Sequence, residues 1–406
     1  MMRMFNVAAV IMLALPIAAW AREPDPALGA APGVEALAWN LVRASGAGNA
    51  IVSPVSVWEA LAMTHAGARG ETATEIAQVL GMPDDRAAIA AAAEALRKAF
   101  AEAKGDKIAL DVANRLWVQQ GKRLESEFVG LLDAKYGARA GSLDFVGATE
   151  AARQEINGWV SDHTAKKIDE LLKPGVLSPL TRLVLTNAVY MKAAWATPFE
   201  KAATAPEPFT LTPGTTATVP FMHRSARLAA GNVGEGGKAA TVCEIPYAGG
   251  QLAMLLIVPD AVDGLAAVLG GLDGKSVAGW QQAGTLRPRQ VNLAMPKWTA
   301  RKPLSLNAAL ASMGMKKAFA AGVADFSGID GTRDLFVSAV VHEGFVDVSE
   351  EGTEAAAATG VVIGVRSALP PQEEPLEVRA DRPFAWAVVH QGTGAVLFAG
   401  VVTDPR

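Results

Sequence analysis

The chain has 406 residues, of which 50% are hydrophobic and 19% are charged, and its formal net charge is −4. This mild acidity gives no reason to expect a nucleic acid or an anionic membrane surface as partner. A single cysteine, Cys243, excludes an intramolecular disulfide, so stability must come from a hydrophobic core, for which the length suffices in one large domain or two ordinary ones.

The first 21 residues have the pattern of a secretory signal peptide. Arg3 lies in a short basic region, an apolar run extends from Val7 to Ala19, and Ala19-Trp20-Ala21 is a small-x-small cleavage site. We therefore expect a mature chain that begins at Arg22 and is secreted, to the extracellular space or a periplasm. A retained membrane anchor is the alternative, although the apolar run is shorter than the roughly 20 residues that a spanning helix needs.

Helical patterns dominate the first half of the mature chain. Asp84 and Asp85 can cap an alanine-rich helix that runs to Lys104. A second helix is predicted by residues that recur on one helical face, namely Ile156, Trp159, Val160 and His163.

Strand-like runs follow in the second half. They are rich in β-branched or other large apolar residues and are bounded by turn residues. The predicted strands are Leu183–Met191, Leu252–Val258, Val291–Met295, Leu335–Val341 and Ala395–Val402. No internal repeat or composition break divides the chain, so we predict a single mixed domain of the α+β class.

Residues 350–367, EEGTEAAAATGVVIGVRS, have the pattern of a strand that is kept outside a sheet. In an extended conformation, small residues and then Val361, Ile363 and Val365 would share one face, and the other face would tolerate water. The segment continues into LPPQEEP, which has the composition of a loop. An ordinary edge strand or an alanine-rich helix is the alternative, but neither explains the extension into VVIGV.

Sequence landmarks along nearly the whole mature chain resemble the serpin family and occur in the family's order. They include NAIVSPVSVWEALAMTHAGARGETATEIAQVLG at 49–81, ANRLWV at 113–118, LTNAVYMKAAW at 185–195, EIPY at 244–247, MPKW at 295–298 and RPFAWAVV at 382–389. The resemblance implies one serpin domain over residues 22–406, with helices packed on a large central β-sheet, two further sheets and an exposed reactive loop at about 350–377. It also implies a monomer.

The resemblance assigns roles to residues in the sheet and in the loop. The residues that match the family's shutter and breach, where the sheet opens, are Ser53, Ser56, Asn187, His342 and Trp195. The residues that match the hinge of the reactive loop are Gly352, Thr353, Glu354, Ala355, Ala356, Ala357, Ala358 and Thr359. A hinge of small residues implies the inhibitory type, because a bulky or charged inward residue would delay insertion.

Counted from Glu350 as in the family, the seventeenth residue is Arg366, which implies a scissile bond between Arg366 and Ser367. A guanidinium suits a protease pocket with a carboxylate at its base. We therefore expect a suicide inhibitor of trypsin-like serine proteases that inserts residues 353–366 into its main sheet after cleavage. The alternatives are a non-inhibitory binding or carrier serpin, and an inhibitor of papain-like cysteine proteases.

The sequence offers no case for an enzyme. Its five histidines form no HExxH pair, and no GxSxG or P-loop pattern occurs. Cys243 lies in the strand-like TVCEIPY, where a buried structural thiol is more common than a nucleophile. We predict no catalytic residue, no metal and no cofactor.

Overall fold

The structure, a computed structural model, describes residues 25–353 and 374–406. The predicted signal peptide and the hinge and loop residues from Glu354 through Arg366 and Ser367 lie outside the described residues. The α-helices are α1 Pro26–Ala44, α2 Pro54–Gly67, α3 Gly70–Leu80, α4 Arg86–Ala103, α5 Ser126–Leu131, α6 Thr149–His163, α7 Leu265–Leu269, α8 Ser276–Gln282, α9 Asn307–Ser312 and α10 Ser327–Asp330. None of these helices is long and apolar enough to cross a membrane.

The strands in the described part of the chain form two sheets. In chain order they are β1 Ala50–Val52, β2 Ile108–Gln119, β3 Gly141–Leu143, β4 Leu183–Ala194, β5 Ala205–Thr212, β6 Thr215–Val233, β7 Ala240–Pro246, β8 Leu252–Pro259, β9 Arg287–Pro296, β10 Trp298–Ser305, β11 Val337–Val348, β12 Gly352–Thr353, β13 Leu376–Arg379, β14 Phe384–His390 and β15 Val396–Val402.

The six-stranded sheet has the strand order β10-β11-β12-β4-β2-β3. Strands β4 and β11 also pair directly and in parallel, from Leu183 opposite Val337 to Tyr190 opposite Phe345. Next to them, β2 pairs with β4 and β10 pairs with β11, both antiparallel. The parallel pair β4–β11 is therefore the seam at the middle of this sheet.

Strand β4 is buried on both faces, which explains its nearly continuous apolar sequence. Leu185 and Met191 belong to the large core that includes α2. Val184 and Ala188, which point the other way, pack in a second core that includes Ile156 and other residues of α6. The sheet thus lies between α2 on one face and α6 on the other.

The nine-stranded sheet has the order β1-β15-β14-β8-β7-β6-β9-β13, with β5 added on β6. Strand β6 is 19 residues long and joins the parts of this sheet. It pairs with β5 near its start, with β9 along its middle and with β7 near its end. The two further sheets that the sequence predicts are therefore hydrogen-bonded to each other through β6.

The predicted α+β class is confirmed, and the five predicted strands lie within or overlap β4, β8, β9, β11 and β15. Of the two predicted caps of α4, Asp85 is confirmed, because its carboxylate accepts hydrogen bonds from Ala87 N at 2.8 Å and Ala88 N at 3.2 Å. Asp84 does not cap the helix and instead contacts His65 and Thr74. The sequence analysis missed the 12-residue strand β2, which lies in the half of the chain where helical patterns dominate.

Candidate functional site

Buried polar side chains form a row across the middle of the six-stranded sheet. The register places Asn187 of β4 opposite both Asn114 of β2 and His342 of β11. Ser53 and Ser56, at the start of α2, lie beside this row. We call these five residues the central polar cluster. Four of them, all except Asn114, are those that the sequence assigns to the shutter.

Asn187 bridges the seam between β4 and β11. Its amide nitrogen donates to Ser56 Oγ and to Asn114 Oδ1, and its Oδ1 contacts His342 Nδ1. On the other side of the ring, Ser53 N donates to His342 Nε2 at 3.1 Å. Because Nε2 accepts, the proton of His342 must be on Nδ1, where it is donated to Asn187. Burial lowers the pKa of His342 to about 3, so the ring is neutral.

Glu59 extends this network into the second turn of α2. Asn114 Nδ2 donates to Ser56 O at 3.1 Å and to Glu59 Oε2 at 3.2 Å. Burial raises the pKa of Glu59 to about 7, although the charge of Arg97 and the bond from Asn114 lower it. The sequence carries a signal for Glu59 that the analysis missed, since it is an acidic residue in the otherwise apolar helix VSVWEALAM.

Aromatic residues close the end of the seam where β4 finishes. The Trp195 ring stacks on Tyr247 at 4.5 Å between centroids, with 12° between the planes. Trp195 Nε1 donates to Ser349 O at 3.0 Å, just beyond the end of β11. Trp195, which the resemblance assigns to the breach, therefore joins β4 to the segment that leads into β12.

Strand β12, which consists of Gly352 and Thr353, lies between β4 and β11. Gly352 pairs with Ala194, and Thr353 pairs with Ala193 on one side and Val348 on the other. The Thr353 side chain is buried and its Oγ1 lies 2.7 Å from the Tyr247 hydroxyl. The predicted hinge thus begins inside the sheet, while its later residues lie outside the described part of the chain.

Gly352 is required at this position by a close approach of two backbones. Its φ is +148°, and a Cβ atom there would lie 2.1 Å from the Ala193 carbonyl oxygen. Both the conformation and the contact exclude other residue types without a shift of the chain. The sequence motif explains Gly352 only as a small residue, whereas the structure gives this steric reason.

Two ion pairs hold the segment that precedes the hinge. Glu350 lies 2.9 Å from Lys297 Nζ and accepts a hydrogen bond from Thr204 Oγ1 at 2.9 Å. Burial acts to raise the pKa of Glu350, but the bonds from Lys297 and Thr204 hold it below the usual value. The neighbouring Glu351 pairs with Lys201, which lowers the pKa of Glu351.

This arrangement can accept a strand. If β4 and β11 separate, the backbone groups that now pair across the seam become available to a segment that continues from Thr353. The bond between Asn187 and His342 lies on that path and must break as the strand advances. The central polar cluster therefore opposes opening of the sheet.

Cys243 is buried in β7, as the sequence predicts. Burial raises the pKa of its thiol to about 12, so the thiolate needed for nucleophilic attack does not form near neutral pH. Among the described residues, His, Cys, Asp and Glu form no group of three that could hold a metal ion.

Comparison with known proteins finds one family that matches most of the chain. A sequence model of the family described as "Serpin (serine protease inhibitor)" matches residues 35–405. A "Serine protease inhibitor" of Cyanea capillata is 35% identical over 358 residues, covering 88% of this chain and 92% of that protein. The human "Leukocyte elastase inhibitor" is 35% identical over 363 residues, covering 88% and 94%.

Solved structures have the same fold. The crystal structure of a highly specific serpin of the insect Tenebrio molitor matches with a TM-score of 0.80 and 28% identity, covering 95% of this chain and 99% of that one. Human thyroxine-binding globulin matches with a TM-score of 0.81 and 26% identity, covering 94% of this chain and 100% of that one.

Proposed function

The chain belongs to the serpin family, and from this premise we propose that it is a suicide inhibitor of trypsin-like serine proteases. The observation that carries the proposal is the position of Gly352 and Thr353 as β12, between the two strands of the seam. A loop that starts inside the sheet is directed along the path that an inserted strand would follow.

The reaction would begin as ordinary proteolysis. The protease serine attacks the carbonyl carbon of Arg366, the bond to the nitrogen of Ser367 breaks, and the products are an acyl-enzyme ester and a new amino terminus at Ser367. Residues 353–366 are then free at one end and can extend β12. Fourteen residues at about 3.3 Å each would move the attached protease on the order of 45 Å.

Insertion would be driven by two gains. The new strand would form hydrogen bonds with both β4 and β11, and it would bury the face that carries Val361, Ile363 and Val365. Each of these side chains contributes roughly 1.5 to 3 kcal/mol when fully buried. The small residues that follow Thr353 in the sequence favour fast insertion, before water can hydrolyse the ester.

Arg366 determines the class of protease. Relatives named as serine protease inhibitors and leukocyte elastase inhibitors support a serine protease as partner. An elastase has a small specificity pocket, whereas a trypsin-like pocket carries a carboxylate that can pair with a guanidinium. We therefore propose an arginine-specific target for this chain. The pattern of its first 21 residues supports secretion of the chain, which would bring it to a compartment where it could meet such a protease.

The proposal is tested by mixing the purified protein with trypsin in near-equal amounts, followed by a denaturing gel and mass spectrometry of the released peptide. We expect a stable covalent band near the summed masses and a peptide that begins at Ser367. The matched control is Arg366→Ala, which should form no such band with trypsin. Clean cleavage that leaves trypsin active would overturn the proposal and favour a binding or carrier protein, the class to which thyroxine-binding globulin belongs by name.

A further inference from the structure

A cavity of about 250 Å³ lies between the six-stranded sheet and the helices α2 and α4, next to the central polar cluster. Most of its wall is apolar, and β15 and residues 136–138 contribute to it besides α2, α4, β2 and β4. Met63 of α2, Phe100 of α4, Leu110 of β2 and Val189 of β4 contribute to this wall. The cavity opens to solvent beside Val112, whose side chain is 38% exposed although it belongs to the sheet.

Glu59 also lines the cavity, and part of its hydrogen-bonding capacity is unused. Its Oε2 accepts from Asn114 Nδ2, but the described residues supply no donor to Oε1 and no cation within 4 Å of the carboxylate. The neighbouring donors are occupied, apart from Ser53 Oγ, which also lines the cavity and has no hydrogen-bond partner among the described residues. Both protons of Asn114 Nδ2 are used, Ser56 Oγ donates to Asn114, and the Tyr136 hydroxyl donates to Ala62 O. An ionised carboxylate in such a place is costly unless a cation joins it.

Two other charged residues line the cavity, and both are basic. Arg97 and Lys104 belong to α4 or its carboxyl end and are exposed to solvent. Arg97 Nη2 donates a hydrogen bond of 3.1 Å to Lys135 O, and its charge acts on Glu59 without forming an ion pair within 4 Å. His342 does not line the cavity, and the bonds of its two ring nitrogens are made within the central polar cluster. Solvated charges at the mouth attract a ligand weakly, whereas the half-buried Glu59 carboxylate interacts in a setting of lower dielectric constant.

We propose that this cavity binds a small, mainly apolar molecule that carries one protonated amine, with the ammonium group paired to Glu59 and the apolar part against Phe100, Leu110 and Val189. The volume is below that of most ligand pockets, so the ligand is limited to about one ring with a short amine arm. The site is independent of the reactive loop, and its test requires no protease.

The probe is 2-phenylethylamine, titrated calorimetrically into the purified protein at about pH 8, where both the amine and a carboxylate are ionised. A ligand of this size is expected to bind at one site with a Kd of about a millimolar or tighter. The matched ligand is 2-phenylethanol, which has the same shape without the charge and should bind at least about tenfold more weakly.

Variants locate the site. Glu59→Gln should weaken the binding of the amine by about tenfold or more and leave the affinity for 2-phenylethanol nearly unchanged. Glu102→Gln, on the exposed face of α4, is the matched control and should not change either affinity. Ala93→Leu narrows the cavity without altering its charge and should weaken the binding of both ligands. This variant keeps the test valid if the Glu59 variant does not fold.

Three results would overturn the proposal. One is the absence of saturable amine binding to the unaltered protein, and another is amine binding that survives Glu59→Gln in a folded variant. The third is tighter binding of phenylacetate than of the amine, with loss of that binding in Arg97→Gln, which would make the rim an anion site instead.

Discussion

Glu350 Oε2 lies 2.9 Å from Lys297 Nζ in the segment between β11 and β12. The Glu350 carboxylate is almost wholly buried, and Thr204 supplies a further hydrogen bond. Lys297 lies between β9 and β10, so the pair connects the base of the loop to the nine-stranded sheet. This relationship fixes the starting point of the hinge.

Lys297→Ala should therefore destabilise the native state, because it leaves the Glu350 carboxylate buried without its cation. We expect the free energy of unfolding to fall by about 1 to 2 kcal/mol. This is at the lower end of the range for a buried charged group, because the Lys297 side chain is partly exposed. Thermal unfolding measures the change. Lys201→Ala removes the exposed partner of Glu351 and is the control, with a smaller expected loss because solvent screens an exposed ion pair. Equal losses in the two variants would contradict the importance of the buried pair.

Thr353→Arg should convert the inhibitor into a substrate. The Thr353 side chain is buried between Tyr247 and the sheet, and a guanidinium cannot be accommodated there without the loss of its hydration. Insertion would then be slower than hydrolysis of the acyl-enzyme. The readout is the fraction of trypsin found in a covalent band against the fraction of cleaved inhibitor. Thr353→Ser keeps the hydroxyl and should trap normally. Full trapping by the arginine variant would refute the insertion model.

Asn187→Ala should weaken the closed sheet. It removes the side chain that joins Asn114, Ser56 and His342, and it leaves the Nδ1 proton of His342 buried without an acceptor. We expect the free energy of unfolding to fall by about 2 to 4 kcal/mol, because polar groups lose their partners and the removed side chain leaves an empty space. Chemical unfolding of the native form measures it. Asn232→Ala, on an exposed part of β6, should change stability by no more than about 0.5 kcal/mol. A similar small effect at Asn187 would mean that the cluster does not hold the seam.

Glu59 should make stability depend on pH. Its pKa rises from 4.5 to about 7 in the folded protein, so between these values the native state holds a proton that the unfolded state has released. The free energy of unfolding must therefore fall as the pH rises from about 4.5 to 7, by up to about 3 kcal/mol from this group. Glu59→Gln should remove that fall.

The measurement is the difference in unfolding free energy between the unaltered protein and Glu59→Gln at several pH values. The difference isolates Glu59 from Glu35, whose pKa is raised in the same direction, and from His342, whose lowered pKa acts in the opposite direction. The variant should gain in relative stability as the pH rises through the window. A difference that does not change with pH would contradict the raised pKa.

Sequence patterns predicted the elements whose residues repeat regularly. The buried strand around Leu185 is continuous and apolar, and the α4 helix begins at a visible cap, Asp85. Strand β2 is not predicted because Asp111, Asn114 and Arg115 interrupt the alternation of apolar and polar residues. These side chains contact other elements or solvent and do not continue one apolar and one polar face. Local pattern does not encode which strands pair across a sheet.

The candidate site was predicted only where the family resemblance assigns a role to a residue. Asn187 and His342 were identified in this way, but their contact depends on a parallel pairing between segments 155 positions apart. Lys297 and Tyr247 lie in the landmarks MPKW and EIPY, yet nothing in those motifs indicates that they meet Glu350 and Thr353. These partnerships are properties of the folded chain.

The short strand β12 changes how loop insertion should be viewed kinetically. Gly352 and Thr353 already pair with β4, and Thr353 also pairs with β11, so in the proposed mechanism the first residues of the new strand are ordered before the protein meets a protease. What remains after cleavage is elongation from an existing nucleus, in which every added residue gains bonds to two neighbours. The rate of trapping should then be set by how fast the seam separates and not by a search for the starting register.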